Sequence, residues 1–221
     1  MPAHNEAGVI RDVISRIPPS VEAMRVVTIV VDDGSTDDTS EIARQTGAIV
    51  IKHVTNLGVG AATITGLRFA QHLEADVVVT MDADGQHDPE EIQALVRCLL
   101  EGPFDVVIGS RLLSPAGMPL TRFAANLLLN LVTLVVYRKI VSDSQSGFKA
   151  FSREALKRMN LNASGYEICS EIIGELYRNE LRYKSLPVKA LYTEYSRAKG
   201  QHFLNGINLI LSMLTRLMRR V

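Results

Sequence analysis

The chain has 221 residues, of which 47% are hydrophobic, so it can bury the core of one substantial α/β domain or of two small ones. Its 24 basic and 24 acidic residues cancel to a formal net charge of zero, which excludes a global attraction to nucleic acid. It has no tryptophan and only 5% aromatic residues, which argues against a base-stacking platform. We therefore expect no nucleic-acid partner.

The first half of the chain alternates short apolar runs with helical patterns. This alternation predicts parallel βαβ units with right-handed crossovers. The predicted strands cover residues 26–31, 48–51, 77–81 and 106–108. The predicted helices cover residues 7–17, 37–45, 61–73 and 89–100.

The rhythm changes after about residue 112, where helical patterns dominate. One or two strands are predicted within 181–192, with Pro187 at an edge or a break. There is no internal repeat and no low-complexity linker, so a single domain over 1–221 is the simplest prediction. The predicted helices of this half cover residues 121–139, 153–159, 166–179 and 203–221.

The cysteines and the amino terminus bear on the compartment. Cys98 and Cys169 lie among apolar residues without metal-ligand spacing, so we expect reduced thiols of a cytoplasmic protein. The amino terminus is polar and has no signal-peptide pattern. No uninterrupted apolar run reaches the roughly 18 residues expected of a spanning helix.

Two aspartates, Asp82 and Asp84, directly follow the apolar run 77–81. Ligands of open α/β sheets bind outside the carboxyl ends of the strands. Paired carboxylates there suit a divalent cation, which in turn suits a diphosphate. The alternative interpretation is a solvated turn, in which aspartate is common.

Two further segments follow the same logic. Asp33, after the run 26–31, can accept hydrogen bonds from a ribose or a base, although a turn followed by a helix cap explains the segment equally well. The segment 56–62 contains Gly58 and Gly60 at a helix entry. It could cradle a phosphate, but tight packing is the better explanation for a lone glycine pair.

Six motifs occur in order along the chain. They are Pro2-Ala3-His4-Asn5-Glu6, Asp32-Asp33-Gly34-Ser35, Asn56-Leu57-Gly58, Asp82-Ala83-Asp84-Gly85-Gln86-His87-Asp88-Pro89, Gly109-Ser110-Arg111 and Asp143-Ser144-Gln145-Ser146-Gly147-Phe148. Together they resemble family 2 glycosyltransferases of the nucleotide-diphospho-sugar transferase (GT-A) fold, in particular the dolichol-phosphate mannosyltransferase-like branch. The resemblance implies an α/β fold with a mostly parallel, Rossmann-like sheet and flanking helices. It implies a nucleotide-sugar-binding half, 1–111, and an acceptor half, 112–221.

The resemblance also implies residue roles. Asp82 and Asp84 would hold Mg²⁺ or Mn²⁺ on the diphosphate. Asp84, Arg111 and Asp143 would be catalytic, with Arg111 on the donor or acceptor phosphate. Asp143 is a candidate general base for a hydroxyl acceptor, or else it orients the loop 144–147; Glu171 is a weaker candidate. The nucleotide-sugar site would be lined by Pro2, His4, Glu6, Val31, Asp33, Asp82, Ala83, Gln86 and Lys199.

This chain departs from the family pattern at two places. The family often has an arginine before the lysine corresponding to Lys199, where this chain has Thr193, so Lys199 and Arg197 would clamp the phosphates. The family also has an apolar strand directly before its first motif, whereas this sequence starts at Met1-Pro2. We expect that this strand lies upstream or that the exposed sheet edge is filled in another way.

The segments 121–139 and 203–221 are predicted to be amphipathic helices with basic ends. Such a helix packs on the domain, forms an oligomer or lies in a membrane interface, and two of them favour the membrane surface. The implied function is transfer of a hexose from a nucleotide sugar (GDP-mannose or UDP-glucose type) to a polyisoprenyl phosphate, at the cytoplasmic face of the membrane. The alternatives are transfer to a sugar hydroxyl in cell-surface polysaccharide synthesis and a non-catalytic nucleotide-binding module. The sequence leaves open the donor, the acceptor and whether a homo-oligomer forms.

Overall fold

The computed structural model describes residues 1–115, 117–138 and 140–191. Strands and helices alternate through this part of the chain, as the sequence predicts. The strands are β1 (Pro2–Ala3), β2 (Ser20–Val21), β3 (Met24–Arg25), β4 (Ile29–Asp32), β5 (Ile49–Lys52), β6 (Val77–Thr80), β7 (Val106–Ser110), β8 (Lys149–Ser152) and β9 (Tyr183–Pro187). The helices are α1 (Ile10–Ser15), α2 (Thr39–Gln45), α3 (Val59–His72), α4 (Ile92–Glu101), α5 (Leu120–Tyr137), α6 (Arg153–Arg158) and α7 (Ile168–Arg178).

Seven of the strands form two sheets, and β2 and β3 form a small hairpin. The first sheet has the order β1-β4-β5 and is entirely parallel. The second has the order β6-β8-β7-β9, in which β7 and β9 are parallel and β8 is antiparallel to both of its neighbours. The predicted α/β class with a mostly parallel sheet and flanking helices is confirmed, with β8 as the antiparallel exception.

Strand β8 is an interior strand that the sequence pattern misses, as it also misses the two-residue strands β1, β2 and β3. It lies between β6 and β7, although about 40 residues separate it from β7 along the chain. Phe151 of β8 is paired with Val78 on one side and with Val106 on the other. Lys149, the first residue of β8, is 1% exposed. A buried lysine interrupts the run of apolar residues by which an interior strand is recognised in a sequence.

The two halves of the chain share one core. Buried residues of β7 and β8 pack against α6 and α7, including Ile108, Phe151, Leu156 and Ile173. A second cluster joins α4 to β7 and β8. The division into 1–111 and 112–221 is therefore one of expected function, and both parts contribute strands to the same sheet.

The edge in front of Pro2 is partly filled. Pro2 and Ala3 pair in parallel with Val31 and Asp32 of β4, and the amino group of Met1 donates to the carbonyl of Ile29 at 2.8 Å. Behind Met1 a cavity of about 380 Å³ lies between the start of β4 and strand β6, with α3 and α4 beneath it. Within the described residues the two sheets share no ladder at this point.

Element boundaries differ from the predictions by a few residues. The apolar residues 26–28 precede β4 rather than belonging to it, and α1 is shorter than predicted at both ends. The helix predicted from Pro89 starts with a 3₁₀ turn capped by the Asp88 side chain and continues as α4. Lys199 and the predicted helix 203–221 lie outside the described residues.

Candidate active site

The predicted site residues of the described chain converge where four strands end. His4 follows β1, Asp33 follows β4, Asp82 follows β6 and Arg111 follows β7. Because ligands of open α/β sheets bind at the carboxyl ends of the strands, this edge is the candidate active site.

The loop after β6 is organised by the aspartates themselves. Both carboxylate oxygens of Asp84 accept hydrogen bonds from Gln86, one from its main-chain N–H at 2.9 Å and one from its side-chain amide at 2.6 Å. The main-chain N–H of Asp82 donates to Nδ1 of His87 at 3.2 Å. The Asp82 side chain is 41% exposed, so its carboxylate is accessible to a ligand.

The charges of this loop favour a bound cation. Burial raises the pKa of Asp84, and the neighbouring negative charge of Asp82 raises it further. A divalent cation would relieve that repulsion. Within the described ranges no group of three or more His, Cys, Asp and Glu side chains could hold a metal ion. A pair of carboxylates still fits Mg²⁺, which proteins commonly bind through one or two carboxylates plus substrate phosphates.

The loop 143–147 closes one side of the aspartate pair. A Cβ atom added to Gly147 would lie 2.6 Å from one carboxylate oxygen of Asp82, so only glycine permits this approach. The hydroxyl of Thr80 donates to the Gly147 carbonyl at 2.7 Å and fixes the loop against the end of β6.

Arg111 and Asp143 form a bidentate ion pair at this edge. The Arg111 side chain donates to the two carboxylate oxygens at 2.8 and 3.0 Å, and its main-chain N–H donates to one of them at 3.1 Å. Burial alone would raise the pKa of Asp143, but the guanidinium and its hydrogen bonds hold it below the ordinary value. Asp143 is fully buried. This geometry argues against the expected role of general base, because a buried carboxylate of low pKa is a poor base. The other expected role was to orient the loop 144–147, but the carboxylate hydrogen bonds go to Arg111, so Asp143 orients Arg111 instead.

Lys149 is a charged residue that the sequence analysis did not select. It is buried on β8, and its ammonium group donates to the Ser146 carbonyl. Its charge acts on both Asp82 and Asp143. The available signal was a lysine within the otherwise apolar stretch 148–151, which is unusual for an exposed loop.

The first motif and the loop after β4 interlock. His4 donates from Nδ1 to the Asp33 carbonyl at 3.0 Å, and the Asn5 N–H donates to the Ser35 hydroxyl at 2.9 Å. Gly34 has φ +72°, and a Cβ atom there would lie 2.5 Å from the main chain of Thr55. This close approach explains why the motif needs glycine.

Asp33 is already engaged by protein groups. Its carboxylate accepts from the main-chain N–H groups of Leu57 and Gly58 at 2.9 and 2.8 Å, and from the His53 ring at 2.7 Å. It is 3% exposed, so any contact with a ribose or base uses its remaining lone pairs. In the segment 56–62, for which we expect tight packing rather than a phosphate cradle, the turn 56–58 thus holds Asp33. A Cβ atom added to Gly58 or Gly60 would lie 2.4 Å from a main-chain oxygen, which agrees with tight packing.

The other predicted lining residues differ in accessibility. Val31 is buried in β4, and Ala83 is buried in an apolar cluster. Both side chains therefore face the protein core. Pro2 is half-buried in β1, and Glu6 is 8% exposed, with its main-chain N–H donating to Thr39 at 2.8 Å. Contacts from Val31 and Ala83 to a ligand would therefore use main-chain atoms.

Tyr166 and Glu171 flank the site from the second half. Burial raises the pKa of the Tyr166 hydroxyl, as do the charges of Asp82, Asp84 and Glu6, so this hydroxyl lies near all three carboxylates. Glu171 accepts from the main-chain N–H groups of Asn162 and Ala163 at 2.9 and 2.7 Å. It thereby shapes the loop before Tyr166, a structural role for a residue considered as a weak base candidate.

Helix α5 has two different faces. Asn130 donates to the Ser142 carbonyl and accepts from the Ser144 N–H, both at 2.8 Å, so the polar stripe holds the loop that carries Asp143. On the opposite face Leu128, Leu131 and Val135 are more than half exposed.

By length and composition α5 could cross a membrane, with a mean hydropathy of 1.5 and 11% of its residues buried. No other helix of the described chain passes that test; uninterrupted apolar runs alone did not predict it, because arginine and asparagine interrupt the helix.

Comparison with known proteins agrees with this architecture. The family profile described as glycosyl transferase family 2 matches residues 1–159. The chain is 37% identical, over its whole length and 96% of the relative, to the UDP-N-acetylglucosamine–dolichyl-phosphate N-acetylglucosaminyltransferase of Methanococcus voltae. It is 31% identical, over 93% of its length and 58% of the relative, to the dolichol-phosphate mannosyltransferase of Pyrococcus furiosus.

Among solved structures the chain is similar to glucosyl-3-phosphoglycerate synthase from Mycobacterium tuberculosis in complex with Mn²⁺ and UDP-glucose. The TM-score is 0.70 and the identity 27%, over 99% of this chain and 76% of the other.

Proposed function

The chain belongs to glycosyl transferase family 2, and from that premise we propose that it transfers a hexose from a nucleotide sugar to a polyisoprenyl phosphate. The observation that carries the proposal is the pair Asp82 and Asp84 at the end of β6, bordered by Arg111 and Lys149. Two carboxylates beside the partly buried Arg111 and the buried Lys149 would form a site for a metal-bound diphosphate and a second phosphate. The names of the two archaeal relatives support a lipid-phosphate acceptor.

The donor is expected to lie across the first sheet and the end of β6. We assign its nucleotide to the edge formed by Pro2, His4, Glu6 and the main chain around Val31 and Asp33. Its diphosphate reaches Asp82 and Asp84, and Gln86 stands near the sugar. Lys199, outside the described residues, would close over the diphosphate. GDP-mannose and UDP-glucose types of donor remain equally compatible with these residues.

Asp82 and Asp84 would hold Mg²⁺ or Mn²⁺. The cation, when bound, offsets the charge that develops on the departing nucleoside diphosphate. The similar synthase crystallised with Mn²⁺ and UDP-glucose supports this assignment. Gln86 keeps the Asp84 carboxylate directed, because it donates to both oxygens.

The acceptor chemistry follows from the Arg111–Asp143 pair. A phosphate monoester is ionised near neutral pH, so it can attack the anomeric carbon without a general base. The new bond joins a phosphate oxygen to the anomeric carbon, the bond to the diphosphate oxygen breaks, and the configuration inverts. In this proposal Asp143 directs Arg111 towards a phosphate and does not accept a proton. This arrangement suits a phosphate acceptor, which needs no general base, better than a hydroxyl acceptor, which needs one.

The membrane location is part of the same proposal. A lipid-borne phosphate lies at a membrane surface, and the exposed leucines of α5 belong to the element that holds the loop 142–147. Two free cysteines suit a reducing compartment, so we place the enzyme at the cytoplasmic face.

A transfer assay tests the proposal. The purified protein is incubated with Mn²⁺, a polyisoprenyl phosphate and one radiolabelled donor at a time: GDP-mannose, UDP-glucose or UDP-N-acetylglucosamine. We expect label in the organic phase with one donor, its loss with EDTA, and its release by mild acid, to which a glycosyl phosphate is labile. Asp84→Asn should lower the rate by at least about 100-fold.

Asp76→Asn is the matched control, because Asp76 lies at the opposite end of the same strand and its side chain is 76% exposed. A wild-type rate in Asp84→Asn would contradict the metal assignment. A product stable to mild acid would indicate a hydroxyl acceptor. No metal-dependent transfer or hydrolysis with any donor would indicate a non-catalytic nucleotide-binding module.

A further inference from the structure

His87 lies at the centre of the loop that carries the two aspartates. It is 2% exposed, and its Nδ1 atom accepts the hydrogen bond from the Asp82 N–H at 3.2 Å. Its ring stacks on Phe148, with 5.0 Å between the ring centroids and 22° between the planes. One side chain thus contacts both the loop after β6 and the residue that follows Gly147.

The main chain around His87 is fixed from a third direction. His87 forms an antiparallel bridge with Ala190, and the N–H of Leu191 donates to the Gln86 carbonyl at 2.9 Å. The next residue, Asp88, pairs with Arg16 at 2.5 Å. The imidazole is therefore held in one place and offers its acceptor in one direction.

The Asp82 N–H needs such an acceptor. A partly buried main-chain donor left without a partner is destabilising, and the backbone would rotate to find another acceptor. Rotation of the Asp82 backbone would turn its carboxylate away from that of Asp84. A phenylalanine would stack equally well on Phe148 but has no acceptor, so the histidine supplies more than packing.

We propose that His87 is a positioning residue whose Nδ1 atom fixes the backbone of Asp82 and so sets the relative direction of the two metal-binding carboxylates. The inference rests on the proposed function, in which Asp82 and Asp84 hold the cation. The imidazole acts here as a fixed acceptor and not through a change of charge. It touches no substrate, and its effect is transmitted through Asp82.

The test separates the acceptor from the ring. His87→Asn keeps an acceptor, because its amide oxygen takes a position similar to that of Nδ1, but loses the stacking. His87→Phe keeps the stacking and loses the acceptor. The dissociation constant of Mn²⁺ is measured by electron paramagnetic resonance, with UDP or GDP present, whichever stabilises the wild-type protein.

We expect the Mn²⁺ dissociation constant to rise at least about tenfold in His87→Phe and to stay within about threefold in His87→Asn. His72→Phe is the control, since His72 is an exposed residue at the end of α3. In the transfer assay, excess Mn²⁺ should restore the rate of His87→Phe. A role in packing alone would not show such rescue.

Four results overturn the inference. Wild-type Mn²⁺ affinity in His87→Phe excludes the acceptor role, and equal losses in His87→Asn and His87→Phe assign the effect to packing. If His87→Phe does not fold, Phe148→Leu takes its place: this variant removes the stacking and keeps the acceptor, so a tenfold loss of affinity there also assigns the effect to packing. If the wild-type protein binds no Mn²⁺, the assignment of Asp82 and Asp84 as metal-binding residues is wrong, and the inference about His87 is wrong as well.

Discussion

We propose that Arg111 and Asp143 decide what kind of acceptor the site can use. The two side chains come from loops 32 positions apart and meet in a buried bidentate pair. Such a pair contributes little net stability, yet removing one partner leaves an uncompensated charge. The pair therefore keeps a guanidinium rigidly at the site, where it can bind phosphate, at the expense of Asp143 as a proton acceptor.

Asp143→Asn tests this pair. We expect the free energy of unfolding at pH 7 to fall by about 3 kcal/mol, because Arg111 remains without its counter-charge. The pKa of Asp143 in the folded protein lies below its ordinary value. The ionised carboxylate therefore stabilises the folded state above the pKa of the unfolded chain, near 4, and this stabilisation is lost as the pH falls through the pKa of the folded state. The difference in free energy of unfolding between the wild type and Asp143→Asn should therefore shrink below about pH 4.

Urea unfolding at several pH values measures the effect. Asp76→Asn, in an exposed pair with Arg153, should change stability by less than about 1 kcal/mol. If Asp143→Asn has wild-type stability but loses the acidic limb of its kcat/KM profile, Asp143 is a base and the acceptor is a hydroxyl.

At the level of elements, α5 combines two roles on opposite faces. Its Asn130 face holds the loop 142–147, and its leucine face is exposed. A helix that anchors a catalytic loop and also touches the membrane would bring the loop to a lipid-borne phosphate. The amphipathic pattern predicts the helix, but only the hydrogen bonds identify which polar residues bind the loop.

The double variant Leu128→Glu/Leu131→Glu should weaken binding to anionic phospholipid vesicles by at least tenfold. Each leucine contributes roughly 1.5–3 kcal/mol when it is buried in an apolar phase, and glutamate adds a repulsive charge. Co-sedimentation with vesicles measures the change.

Val54→Glu is the matched control, since Val54 is 99% exposed in the loop between β5 and α3. Unchanged vesicle binding by a correctly folded double variant would exclude this face as the membrane contact. Dissociation of an oligomer by the same variant would identify the face as a subunit interface.

On the scale of the whole molecule, the region between the two sheets is weakly filled. The amino group of Met1 extends the ladder of β1 onto β4 and borders the cavity in front of β6. The cavity is lined by the whole of β6 and by Met81, the residue directly before Asp82. Looser packing there would be transmitted to the site along one strand.

The sequence by itself determined the class of fold and where the polar residues of the site fall. An apolar run followed by an aspartate fixes that residue at a strand end, because burial ends where polarity begins. Asp33 and Asp82 were placed in this way, whereas Arg111 was expected at the site from the resemblance of its motif. The hydrophobic periodicity of a segment shows that one of its faces is buried, but not which other element packs against that face. Tertiary structure alone therefore decided that β8 enters antiparallel between β6 and β7, which brings Gly147 and Lys149 to the aspartates, closes Asp143 onto Arg111 and sets His87 beneath Asp82.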